Sequence, residues 1–151
     1  MFVVVTSVFL YGLYLQFFNK ETGEQTTATL ISFPHTDCKP ERKPCSVSLG
    51  DRQLRFNLPK KAFYLRPFPV LVLLTGFTPD EIKSVSSRFE MTDMNMGFNQ
   101  VQLSEKNRRW QGQAILPVCS SGSHDWLAVI EVKTGTTVYR ARFNFSVENK
   151  H

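Results

Sequence analysis

Apolar and polar residues alternate through most of the chain after Cys45. Leu54, Phe56 and Leu58 fall on one face against Arg55 and Asn57. That pattern predicts a half-buried strand, broken by Pro59-Lys60-Lys61. Val70 to Thr75 is a continuous apolar run of strand length, preceded by Pro67 and Pro69 and closed by Gly76. Thr78-Pro79-Asp80-Glu81 predicts a turn, or one turn of helix with proline early. Ile82 to Met91 alternates weakly. Val101 and Leu103 share a face; so do Trp110, Gly112, Ala114 and Leu116, and then Trp126, Ala128, Ile130 and Val132. The last strand is the clearest. Tyr139, Ala141, Phe143, Phe145 and Val147 point one way, and Arg140, Arg142, Asn144 and Ser146 the other. Strands at a spacing near ten residues, with no long amphipathic helix among them, predict an all-β domain. An immunoglobulin-like antiparallel β-sandwich is the expected architecture.

The first eighteen residues follow a different rule. Met1 to Phe18 holds no charged side chain, and at 1.5 Å per residue a helix of that length spans about 27 Å. The expected organisation is a single transmembrane helix over 1–18, a polar tether over 19–29 and a β-sandwich over 30–149. A cleaved signal peptide and a buried element of the domain are the alternatives; neither a basic start nor a small-x-small cleavage site is present. Lys20 follows the run, with Glu21 and Glu24 close behind, so flanking charge does little to fix orientation.

Composition adds few constraints. A 42% apolar fraction supports a core, and 21% charge argues against disorder. The net charge of +5 is spread over Lys39, Arg42 and Lys43, over Lys60-Lys61, and over Arg108-Arg109. Solvated turns are expected there, not a nucleic-acid surface, because no nucleic-acid motif accompanies them. Contact with anionic lipid head groups is a lesser option. Cys38 and Cys45 have six residues between them, a loop that a disulfide can close in an oxidising compartment. Two unpaired thiols in a reducing compartment are the alternative. With three cysteines in the chain, Cys119 is the odd one.

The candidate chemistry lies between Phe89 and Trp126. Met91, Met94 and Met96 fall within six residues, and Cys119 and His124 follow about a hairpin later. Thioether with thiolate or imidazole is a donor set that suits Cu(I). In a strand, Met94 and Met96 project from one face roughly 7 Å apart, and Met91 from the other unless a bulge intervenes. Convergence of Met94, Met96, Cys119 and His124 at one end of the sandwich is the expected site, with Met91 as a further ligand. The competing reading makes the methionines core filler against Phe89, Phe98, Trp110 and Trp126. Enzyme chemistry has little support. Ser123-His124-Asp125 has triad residue types without triad geometry, and no nucleophile elbow, zinc spacing or phosphate-binding glycine loop exists.

The run Asp93-Met94-Asn95-Met96-Gly97, the segment Leu116-Pro117-Val118-Cys119 and Trp126 resemble a group of small bacterial membrane-anchored envelope proteins. That group also carries a cysteine pair like Cys38 and Cys45. More distantly, the chain is similar to the YtkA-like and FixH-like domains. The similarity covers roughly residues 36 to 133 and is strongest from 89 to 126. His124 stands where the group often has methionine. The resemblance implies a single-pass protein of the bacterial inner membrane with its domain in the periplasm. It further implies Cu(I) handling for a membrane respiratory protein or copper enzyme; the absence of catalytic and nucleic-acid motifs separately predicts no catalysis and no nucleic-acid binding. A metal-free interaction module of the cell envelope is the rival expectation.

Overall fold

The computed structural model describes residues 28–34, 36–62, 64–91, 99–118 and 124–147. The expected transmembrane helix lies outside them. No helix among the described residues is long and apolar enough to cross a membrane. The described chain is all-β, as the alternation predicts. Its nine strands are β1 (Thr29–Ser32), β2 (Cys45–Leu49), β3 (Arg52–Asn57), β4 (Phe68–Thr75), β5 (Ile82–Met91), β6 (Gln100–Lys106), β7 (Arg109–Ala114), β8 (Asp125–Thr134) and β9 (Thr137–Ser146). They form one curled sheet in the order β1-β9-β8-β5-β6-β7-β4-β3-β2.

The curl follows from β6 serving two neighbours in turn. Val101 and Leu103 pair with Ser87 and Val85 of β5, whereas Ser104 to Lys106 pair with Gln111 to Arg109 of β7. Gly112 lies under this transition. A Cβ there would meet Leu103 Cδ2 at 2.8 Å and Val101 Cγ1 at 3.0 Å, so β6 approaches β7 closely only because the side chain is missing. The two halves of the sheet then face each other. Phe56 of β3 meets Phe143 of β9 with ring centroids 5.0 Å apart, and Phe68 of β4 meets Phe89 of β5 at 5.8 Å. Arg52 of β3 crosses the same gap. Its guanidinium donates to the Tyr139 hydroxyl at 3.0 Å, pairs with Glu81 and lies 4.6 Å from the centre of the Phe77 ring.

The inward residues are those the alternation assigns. Leu54, Phe56 and Leu58 are buried, as are Trp126, Ala128, Ile130 and Val132, and Ala141, Phe143, Phe145 and Val147. The run from Val70 is less uniform than its composition. β4 begins at Phe68, buries Phe68, Val70 and Val72, and leaves Leu71, Leu73 and Leu74 half-buried. Pro69 lies inside β4, ahead of Leu71, where pairing with β3 begins; it therefore has only β7 beside it. The arrangement is not wholly antiparallel. β1 pairs with β9 in parallel, Thr29 opposite Thr137. The last residue of the expected tether is thus already in the sheet.

Turn chemistry sets the registers. The β6–β7 hairpin turns through Asn107 and Arg108 with φ of 54° and 59°. Two positive φ values define the I′-type turn that suits the strand twist, and asparagine then glycine is its preferred pair. Arginine in the second position carries a Cβ cost. Arg108→Gly is therefore expected to stabilise the fold by about 0.5–1 kcal/mol in urea denaturation.

The two edge strands among the described residues, β1 and β2, are consecutive in sequence. The chain from Phe33 to Pro44 crosses from one edge to the other and seals the open side. Thr36 bridges Phe143, Pro40 O accepts from Leu58 N–H at 3.1 Å, and Glu41 accepts from Ser146 N–H at 3.3 Å. The expected disulfide joins Cys38 to Cys45 in this crossover, with the Cα atoms 5.7 Å apart.

Candidate functional site

One end of the fold holds Met91 and His124, the two candidate ligands among the described residues. Strand registers bring together there the start of β2, the end of β3, the starts of β4, β6 and β8, and the ends of β5, β7 and β9. Met91 is the last residue of β5 and sits opposite Trp126 in β8. It is 6% exposed and packs in the core cluster with Phe89 and Trp126. Its inward direction follows from period two, since Val85 and Phe89 occupy the same face. Trp126 is held in turn by Tyr64, whose hydroxyl accepts the indole N–H at 3.3 Å. Met91 therefore serves as apolar packing in this structure.

His124 is exposed just before β8, and its carbonyl accepts from Val147 N–H at 3.0 Å. Met94, Met96 and Cys119 lie outside the described residues. The residues flanking them are described. Phe89 N–H donates to Asn99 O at 2.9 Å, which closes the segment that holds Met94 and Met96. Asn99 Nδ2 donates to Ile115 O at 3.2 Å, four residues before Cys119. Asn99, which follows the Met94/Met96 segment, and Ile115, which precedes Cys119, are thus neighbours. Among the described residues, no group of three or more His, Cys, Asp or Glu side chains is placed to hold a metal ion.

Three features of this end were not signalled by the sequence pattern. Leu65, Ile115 and Val118 are 67%, 49% and 59% exposed. Leu65 N–H donates to Leu116 O at 2.9 Å, so the loop after β3 and the segment after β7 are adjacent at this end. A groove of about 480 Å³ is lined by Glu41, Arg42, Lys60, Lys61, Ala62 and Ser146. Two basic loops that read as separate solvated turns thus share one depression. A second groove, of about 580 Å³, lies by Lys39, Glu90, Met91, Asp125 and Asn144. Its acids are engaged: Glu90 pairs with Arg88, and Asp125 accepts from the Ser146 hydroxyl at 3.0 Å.

No family model and no curated protein matches the chain. Among solved structures, it is similar to a DUF4785 family protein from Legionella pneumophila subsp. pneumophila str. Philadelphia 1. The TM-score is 0.49 at 14% identity, over 66% of this chain and 29% of that one. The chain thus spans less than a third of the Legionella protein.

Proposed function

We propose that this is a membrane-anchored envelope domain of immunoglobulin-like sandwich type whose loop end binds Cu(I) as an accessory to a membrane copper or respiratory enzyme. One observation carries the reading: the Asn99–Ile115 hydrogen bond, which ties the root of the Met94/Met96 segment to the strand exit leading to Cys119. His124 is solvent-accessible at the same end and supplies an imidazole. The sandwich type is supported by the facing halves of the sheet and by β6 changing partners between them. The Cys38–Cys45 bridge supports residence in the periplasm, because such bridges persist in oxidising compartments. Thioethers hold Cu(I) without adding charge, so the metal would be carried and passed on; no turnover is involved.

The test is competition for Cu(I) between the purified full chain and a chromogenic chelator. The expected result is withdrawal of copper by the wild type. Met94→Leu/Met96→Leu and Cys119→Ser should each weaken competition by about tenfold or more, a change equivalent to about 1.4 kcal/mol or more. Equal competition by the variants would reject the site. A second reading, a metal-free interaction module, is favoured by the exposed Leu65, Ile115 and Val118. It predicts no competition by any variant.

A further inference from the structure

We infer that the loop end of the domain docks on an anionic lipid surface. The inference deepens the second reading, since it names a partner for the exposed apolar residues, and it does not depend on copper. Two independent observations meet at this end. The first is charge. Arg42, Lys60 and Lys61 line one groove, and Lys39 and Lys43 lie on the same crossover. Among the described residues, none of these five cationic heads has an ion-pair partner. The carboxylate inside the groove, Glu41, turns to Ser146 N–H. Arg42, Lys60 and Lys61 still outnumber this carboxylate in the groove.

The second observation is the apolar group. Leu65 follows Lys61 by four residues, and the Leu65–Leu116 hydrogen bond brings its loop against the segment that carries the exposed Ile115 and Val118. Leu65 has φ of 58°, an unusual conformation for a branched side chain, and it is 67% exposed. Exposed apolar side chains at the same end of the fold as a groove lined by lysine and arginine match the layering of a bilayer surface. The apolar groups enter the acyl boundary and the cations stay among the phosphates. A soluble acidic protein would be met by the charge alone and would leave Leu65, Ile115 and Val118 without a use.

The geometry is anchored in rigid parts. The crossover is tied by the Cys38–Cys45 bridge and by Leu58 N–H on Pro40 O. Lys43 N–H and Arg42 N–H both donate to Lys39 O, at 3.2 and 3.0 Å, which fixes the turn that carries the cations. Thr29 pairs with Thr137 at the other end of β9, roughly 30 Å along the strand from Ser146. Docking therefore uses the end of the domain opposite the point where residue 29 enters.

The experiment is flotation of the full chain with vesicles of phosphatidylcholine alone or with about one third phosphatidylglycerol. Residues 1–18 hold no charged side chain and are the same in every variant, so differences between variants report on the domain. The expected result is excess binding to the anionic vesicles, lost in high salt. Lys60→Gln/Lys61→Gln should reduce that excess by roughly tenfold or more. Leu65→Ser/Val118→Ser should reduce binding to the same vesicles severalfold. Lys106→Gln/Lys133→Gln, two exposed sites at the far end, should change it by the small amount that net charge alone dictates. An anionic-vesicle excess that is the same in the wild type and in Lys60→Gln/Lys61→Gln overturns the inference. So does equal loss from near-end and far-end lysine pairs, or no effect of the serine substitutions. None of these outcomes bears on Cu(I) competition, so the copper reading stands or falls separately.

Discussion

Replacing Phe143 with alanine is expected to cost about 3–5 kcal/mol, the largest effect of any single substitution considered for this domain. Phe143 is fully buried in β9 and meets Phe56 across the two halves of the sheet. Its backbone also holds the isolated bridge to Thr36 in the edge crossover. Truncation would remove apolar contact from both halves and open a cavity that rigid strands on either side cannot collapse to fill. A loss of that size is a large share of the 5–15 kcal/mol typical of a domain, and would lower the melting temperature by roughly 10 °C. Phe143→Leu should cost far less, about 1.5 kcal/mol or under, because most of the volume remains. Leu65→Ala, at an exposed loop position, should stay within about 0.5 kcal/mol. Urea denaturation of the three variants gives the ranking. A Phe143→Ala midpoint close to that of Leu65→Ala would mean that the facing halves do not hold the fold together.

The residues that were legible in sequence are the ones with one wet face. β3, β8 and β9 each bury alternate positions, and period two records that directly. β1 left no such record. All four of its residues are exposed, so it carries no alternation, and its place is set by backbone pairing to β9. The run after Val70 suggested burial on both faces, yet β4 is buried on one. Its other face is half covered, which composition cannot distinguish. The candidate site was legible only in part. The sequence correctly paired Cys38 with Cys45. Met91 shares the inward face of Val85 and Phe89, but the weak alternation of this stretch, where Ser86 is buried as well, blurred that signal. Nor could the sequence join Arg42 to Lys60 and Lys61. Those loops meet only because the crossover from β1 to β2 runs past the end of β3, and no local pattern encodes that path.

Breaking the Cys38–Cys45 bridge tests how far that crossover governs the rest. With a sequence separation of 7, the closed loop is short, and its constraint on the unfolded chain is worth about 2.5 kcal/mol. Cys38→Ser/Cys45→Ser and reductant on the wild type should both lower stability by about 2–3 kcal/mol in guanidinium denaturation. Cys45 is 1% exposed, so a serine hydroxyl there adds a polar-burial cost that reduction does not. The double variant should therefore be the less stable of the two. Local consequences should follow the contacts of the crossover. The amides of Leu58 and Ser146, which bond to Pro40 and Glu41, should lose hydrogen-exchange protection, while those at the centre of β8 keep theirs. If the crossover also presents the cations, the reduced protein should lose its preference for anionic vesicles although every lysine and arginine is still present. Unchanged exchange at Leu58 and Ser146 after reduction would instead mean that backbone pairing alone holds the two edges together, and that the bridge is dispensable for both the fold and the surface it displays.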